Sequence, residues 1–167
     1  MQADKIYLVG FMGAGKTTVA KILGAKLDWC VEDIDSLVEK REHATVADLF
    51  ARRGETYFRH AERAVLTDLL CRRHVVVATG GGTYDNPDNR VLINRDGVSI
   101  WLDVSLKQII ARLPSDGRRP LAADRLTMER LYYRRQAAYR HAHCRVDAER
   151  ASPNEVVETL LDQLEEF

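Results

Sequence analysis

The feature that most constrains this chain is Gly10-Phe11-Met12-Gly13-Ala14-Gly15-Lys16-Thr17 together with what flanks it. Residues 6–9 form a short apolar run with β-branched members, which reads as a buried strand. Residues 17–27 then repeat Val19, Ala20, Leu23, Ala25 and Leu27 at helical spacing. A strand, a glycine-rich turn and a helix in that order match the pattern GxxxxGK[ST] in the context it requires. Four fixed positions arise by composition alone in about one chain in a hundred or fewer. The glycines let backbone N–H groups turn inward around phosphate oxygens, and the helix start adds positive potential. Lys16 is placed to reach the β- and γ-phosphates of a nucleotide, and the Thr17 hydroxyl to ligate Mg²⁺.

Apolar runs and helical periods go on alternating to the C-terminus. Residues 29–31 read as a second strand, 36–42 and 46–53 as helices. Residues 55–72 read as a longer helix with Phe58, Ala61, Val65, Leu66 and Leu69 on one stripe. Val75–Ala78 is a fully apolar strand that runs into Gly80, Gly81 and Gly82. A helix from Asn86-Pro87, a strand at 98–102 and a helix at 106–113 follow. Residues 114–124 carry Pro, Gly, Ser and Arg without periodicity and read as a mobile loop long enough to have a function. Residues 126–139 are helical, 145–147 a fifth strand, and Pro153–Leu164 a closing helix with a capped start at Ser152. Strands alternating with helices predict an α/β fold, a parallel sheet with helices on both faces. Ligands then sit at the carboxyl ends of the strands, where both glycine clusters fall. No repeat, linker or low-complexity tract divides the chain, so residues 1–167 read as one domain.

Composition narrows the function classes. Lys plus Arg and Asp plus Glu number 25 each. That balance argues against a nucleic-acid binder, which carries a basic surplus. No apolar run reaches the ~18 residues of a membrane span, so no membrane partner is expected. No signal peptide is expected ahead of the first strand. Cys30, Cys71 and Cys144 are odd in number, widely spaced and free of a CxxC pair, which points to a reducing compartment and a cytoplasmic location. His141, His143 and Cys144 lie close together, but no second ligand cluster accompanies them, and no metal is expected there.

After the second strand comes Glu32-Asp33-Ile34-Asp35. Alternate residues of an extended segment point the same way, so Asp33 and Asp35 are expected to project together toward the phosphate loop. One would serve the magnesium shell and the other a substrate hydroxyl, with a helix cap as the plainer use of such a pair. From here the chain resembles the shikimate kinases along its whole length. The matching pieces are GFMGAGKTT at 10–18, DID at 33–35, ADLF at 47–50, GETYFRHAE at 54–62, ATGGG at 78–82, RRPL at 118–121, RQAAY at 135–139 and RVDAERASP at 145–153. Their order and spacing are specific, though only the first piece is specific alone.

The resemblance implies a three-layer α/β/α sandwich of the phosphate-loop NTPase type, with a five-stranded parallel sheet and a mobile lid at about 114–124. It implies ATP and Mg²⁺, phosphorylation of the 3-hydroxyl of the small molecule shikimate in aromatic amino acid biosynthesis, and a monomer. By position, Gly13, Ala14, Gly15, Lys16, Thr17 and Thr18 would hold the nucleotide phosphates, and Arg112 and Pro153 would flank adenine. Asp33 would join the metal shell through water beside Thr17. Asp35 would bind the ring hydroxyls and orient or deprotonate the attacking one. Arg59 and Arg135 would clamp the carboxylate, with Glu62 orienting Arg59. Gly80, Gly81 and Gly82 would offer backbone amides, and Phe50 and Phe58 an apolar wall. Arg119 would reach the phosphates from the lid.

The residues support this reading independently. Two arginines satisfy one carboxylate with forked hydrogen bonds, and Glu62 lies three residues after Arg59 on the same helical face. A gluconate- or nucleotide-kinase-like enzyme is the competing reading, and the double-arginine clamp with its glycine triplet argues against it. A catalytically silent nucleotide binder should have lost Lys16, Asp35 or an arginine, and none is lost. Four positions depart from the family pattern: Thr17 where Ser is commoner, His43 where Gly is usual, Thr83 where a small apolar residue is usual, and Ala122-Ala123 after Arg119-Pro120-Leu121.

Overall fold

The computed structural model describes residues 4–112 and 124–165. Its elements in chain order are β1 (Lys5–Val9), α1 (Lys16–Leu27), β2 (Cys30–Asp33), α2 (Ile34–Glu42), α3 (Val46–Leu69), β3 (Val75–Ala78), α4 (Pro87–Asp96), β4 (Val98–Asp103), α5 (Leu106–Arg112), α6 (Arg125–Tyr139), β5 (Cys144–Asp147) and α7 (Pro153–Leu164). The five strands form one parallel sheet in the order β2-β3-β1-β4-β5. All residues of β1 and β3 are buried. Strands covered on both faces need continuous apolar runs, which is why the sequence at 6–9 and 75–78 does not alternate.

Register and side-chain contacts assign the helices to faces. Lys5 and Tyr7 point to one side of β1 and both reach Asp96 at the end of α4, at 2.7 and 2.5 Å. Lys5 Nζ also donates to the Leu69 carbonyl at the end of α3, at 2.7 Å. Trp101 pairs in register with Val9 and packs against Tyr139 of α6. So α3, α4 and α6 cover this face. Val31 pairs with Val76, which pairs with Ile6, on the opposite face. There Gly24 of α1 lies so close that a Cβ would stand 2.3 Å from Val31 Cγ2. Helix α7 packs beside α1 and completes the third layer.

Because β1 is central and its neighbours leave it toward opposite edges, the chain after Val9 emerges at the switch point of the sheet. A crevice forms there outside the carboxyl ends of the strands. The helical run of α3 is broken at Gly54, with φ 81° and ψ 169°, a conformation restricted to glycine. The break has a consequence for packing. Residues eight apart on an unbroken helix are about 12 Å apart along its axis, yet the Phe50 and Phe58 rings meet at 5.0 Å. His43 caps α2 in the left-handed region at φ 51°, so the turn expected of glycine is kept and its cost is borne by a histidine.

Most boundaries shift from the sequence expectation by a residue or two, and two of the shifts bear on the site. The long helix ends at Leu69 instead of 72, and β2 spans Cys30–Asp33 instead of 29–31. The segment expected as a lid, 114–124, lies outside the described residues apart from Asp124, as do Ala122 and Ala123. Among the described residues, no helix is long and apolar enough to cross a membrane.

Candidate active site

The loop between β1 and α1 is wound by glycines at positive φ: Gly10 at 143°, Gly13 at 79° and Gly15 at 96°. Gly15 is also the N-cap of α1 and offers no side-chain cap. The start of α1 thus lacks a side-chain cap, and with the helix dipole behind it the site suits an anion such as a phosphate. Lys16 is buried and folds back over the loop, its Nζ donating to the Gly10 and Phe11 carbonyls at 2.8 Å each. Thr17 Oγ1 donates to Asp33 Oδ2 at 2.6 Å. Two oxygen donors at the mouth of a phosphate loop suit a hard cation such as Mg²⁺.

A cavity of about 280 Å³ adjoins the loop. Gly13, Ala14, Gly15 and Thr18 form one wall, and Arg112, Ala148, Ala151 and Pro153 the other. Arg112 Nη2 donates to the carbonyls of Ala148 and Glu149, at 3.4 and 3.3 Å. Glu149 in turn accepts from the Ser105 amide and hydroxyl at 2.7 Å each. These hydrogen bonds hold its carboxyl below the usual range. Nothing in the sequence marks Ser105 or Glu149 as the props of this wall, since they come together only through the pairing of β4 with β5.

On the other side of the loop lie Gly80, Gly81 and Gly82. None has positive φ, so glycine is required here for close approach and not for backbone freedom. A Cβ on Gly80 would stand 2.8 Å from Glu62 Oε1, 2.9 Å from Asp35 Oδ1 and 3.0 Å from Thr83 Oγ1. On Gly81 it would stand 3.2 Å from both Met12 N in the phosphate loop and Arg135 Nη1. On Gly82 it would stand 2.5 Å from Arg59 Nη2 and 2.7 Å from Arg135 Nη2. One turn thus touches the phosphate loop, both arginines and both inner carboxylates.

The two arginines differ in how their charge is met. Arg59 donates to Glu62 Oε2 and Glu55 Oε1, both at 3.0 Å. Burial works against its charge, but Glu62 and Glu55 outweigh burial and raise its pKa. Arg135 is 2% exposed, and its Nε has no hydrogen-bond partner among the described residues. The Asp85 carboxylate stands 3.7 Å from that Nε and pairs more closely, at 2.9 Å, with Arg134. Burial, assisted by Arg59, lowers the Arg135 pKa. Tyr139, one helical turn on, donates to the Gly81 carbonyl at 2.5 Å, so the spacing from Arg135 to Tyr139 puts both on the face toward the glycines. Arg134 points outward to Asp85, which resolves the tandem arginines of the sequence.

Asp33 and Asp35 require a correction. As alternate residues of an extended segment, they are expected to project together toward the phosphate loop. In the structure β2 ends at Asp33, which caps α2 by accepting from Ser36 N, and Asp35 lies in the first helical turn. The two side chains therefore diverge, Asp33 to Thr17 and Asp35 to Gly80. Phe58 is buried and Phe50 half-buried against it, with the Arg59 guanidinium over the Phe58 ring at 5.2 Å. Arg119 lies outside the described residues.

A central parallel sheet, an uncapped glycine loop at its switch point and a charged crevice beside that loop define the class of phosphate-loop kinases. Within that class the comparisons are specific. The family model described as "Shikimate kinase" matches residues 12–165. A shikimate kinase of Sulfurihydrogenibium sp. is 41% identical over 160 residues, covering 95% of this chain and 96% of the relative. The crystal structure of shikimate kinase from Aquifex aeolicus superposes with a TM-score of 0.88 at 33% identity, covering 96% of each chain. Shikimate kinase from Acinetobacter baumannii in complex with shikimate gives a TM-score of 0.93 at 31% identity, covering 99% of this chain and 94% of that one. The chain belongs to the shikimate kinase family.

Proposed function

We propose that this chain transfers the γ-phosphate of ATP to the 3-hydroxyl of shikimate, giving shikimate 3-phosphate and ADP. The observation that carries the reading is the glycine turn, which sets Arg59, Arg135 and Asp35 beside the phosphate loop. Arg59 and Arg135 bind the substrate carboxylate, and Asp35 holds the acceptor hydroxyl. Gly80, Gly81 and Gly82 leave room for the ring and present amides to it. Phe50 and Phe58 wall the ring on its apolar side.

The amides of residues 13–18 bind the nucleotide phosphates, while Arg112 and Pro153 flank the base. Thr17 would hold Mg²⁺, with Asp33 serving it through water. Bound there, the ion would neutralise phosphate charge. Lys16 leaves its two carbonyl contacts to meet the β- and γ-phosphates, and Arg119 is assigned to the same charge on resemblance alone. Phosphoryl transfer passes through a loose transition state, so positioning and charge neutralisation dominate the work of the protein. Asp35 serves chiefly by aligning the acceptor oxygen. The enzyme acts in the cytoplasm as a monomer of one domain.

The test is coupled ADP release with shikimate and with a panel of gluconate, other hydroxy acids and nucleosides. Turnover confined to shikimate is expected. ADP release with a nucleoside or gluconate, and none with shikimate, would overturn the reading.

A further inference from the structure

Thr83 closes the glycine turn with a fully buried hydroxyl. Its Oγ1 donates to Glu62 Oε1 at 2.6 Å. The other oxygen of that carboxylate, Oε2, accepts from Arg59 Nη1 at 3.0 Å. Glu62 is 1% exposed, so water does not readily replace a lost donor. The Thr83 backbone is tied from both sides. Its N–H donates to the Gly80 carbonyl at 3.1 Å, and its carbonyl accepts from Asn89 Nδ2 at 3.1 Å. Asn89 is itself buried on α4 and accepts from Arg63 Nη1 of α3 at 2.5 Å. The backbone that carries the hydroxyl is thus held in place, and a β-branched side chain has few rotamers through which the hydroxyl can leave the carboxylate.

The carboxylate needs such an anchor. Glu62 Oε1 and Asp35 Oδ1 converge on the same point at Gly80, and like charges there favour swinging Glu62 away. Of the three oxygens at that point, the hydroxyl has a proton to give. We propose that Thr83 is a positioning residue of the carboxylate clamp: its hydroxyl locks Glu62 Oε1, so that Oε2 holds the Arg59 guanidinium toward the substrate. The proposal rests on the functional reading above.

Thr83→Val keeps the shape and removes the donor. The KM for shikimate should rise about 5- to 30-fold, a part of the roughly 10- to 150-fold that a hydrogen bond to a buried charge represents, because Thr83 acts on the substrate only through Glu62 and Arg59. The kcat and the KM for ATP should stay within about twofold, the pattern of lost uniform binding. Thr83→Ser, which restores the donor, should recover the parent KM. The methyl ester of shikimate, which lacks the carboxylate charge, should bind parent and Thr83→Val alike. Thr83→Ala is measured in parallel and carries the same criterion if the valine variant fails to fold by thermal melting. An unmoved KM, a fall in kcat alone, or an equal loss for the acid and its ester would overturn the proposal while leaving the functional reading intact. A parent enzyme inactive on shikimate would overturn both.

Discussion

Arg135 should be a residue the free protein would be more stable without. Its guanidinium is buried, faces Arg59, is offset in part by the Tyr139 hydroxyl, shares a distant carboxylate with Arg134, and has no hydrogen-bond partner at Nε among the described residues. An unsatisfied buried donor costs about 1–3 kcal/mol, more when charged. Replacement of buried ionic groups by apolar ones of similar volume is often stabilising by about 1–4 kcal/mol. Arg135→Met keeps the volume and forfeits the guanidinium over the Phe11 ring, an interaction at 5.8 Å that is worth about 1 kcal/mol or less. The free variant should therefore gain about 1–2 kcal/mol, or ~2–6 °C in Tm for a chain of this length. Binding should move the opposite way. Loss of one forked, charged pair should raise the KM for shikimate by roughly a hundredfold, about 3 kcal/mol. Differential scanning calorimetry with and without shikimate, beside steady-state kinetics, reads both. In the parent, shikimate at a hundred times its Kd adds about 2.7 kcal/mol, and in the variant that shift should fall to about 0.4 kcal/mol at the same concentration. A free variant that melts well below the parent would refute the reasoning, because Arg135 would then be a core residue whose charge is already met.

Gly24→Ala should destabilise the protein although alanine is the better helix former by about 1 kcal/mol. The added Cβ would stand 2.3 Å from Val31 Cγ2 and 3.1 Å from the Trp29 carbonyl, and overpacking of this kind costs about 1–3 kcal/mol. Urea denaturation should show the loss and its partial rescue by Val31→Ala, and additivity of the two changes would count against the contact. Glu155→Gln should weaken the start of α7 in a pH-dependent way. The Ser152 amide and hydroxyl hold the Glu155 carboxyl below its ordinary value. Its contribution is then present above the unfolded pKa of about 4.3 and lost as pH falls through the lower folded value. The gap between parent and variant melts should close toward about pH 3, and a gap independent of pH would exclude the carboxylate as its source.

The parts of the site that could be read from sequence are those with one physical use. Four fixed residues between a strand and a helix have few roles besides cradling phosphate, and the loop is wound as that pattern requires. The glycine triplet is legible as something other than an ordinary turn, but its reason is not. Three glycines in a row cost more chain entropy than an ordinary turn requires, whereas in the structure a Cβ at these positions would crowd Arg59, Arg135, Asp35 and Glu62. The end of β2 is illegible for a related reason. Glu32 and Asp33 are polar, yet they pair with Val77 and Ala78, because backbone hydrogen bonding and not hydropathy carries the strand on. That one extension turns Asp33 into a cap and sends Asp35 into a helix. Thr83 stands out only as a departure from a family pattern. Its partners Glu62 and Asn89 come from two different helices, so local periodicity says nothing of the bond.

Charge arithmetic at the clamp argues for the kind of anion it takes. Glu62 cancels Arg59 inside the site, while Glu55 is half exposed and screened by water. Arg135 keeps a charge that a carboxylate at 3.7 Å, already engaged by Arg134, meets only in part. At the arginine end of the crevice, with Asp35 set apart at the acceptor end, Arg59, Arg135 and Glu62 leave close to a single positive charge, which one monoanion completes. A neutral polyol would leave the Arg135 charge unmet, and a phosphate dianion would bring a surplus negative charge next to Asp35 and Glu62. The flat fork of a guanidinium matches the flat carboxylate, which adds shape to the charge criterion. The polyanionic partner has its own place one residue away, where Gly81 lets the phosphate-loop amide of Met12 approach from the other side of the turn. On the proposed function, three glycines would divide two anion sites of different charge, and Asp35 would hold the attacking oxygen between them.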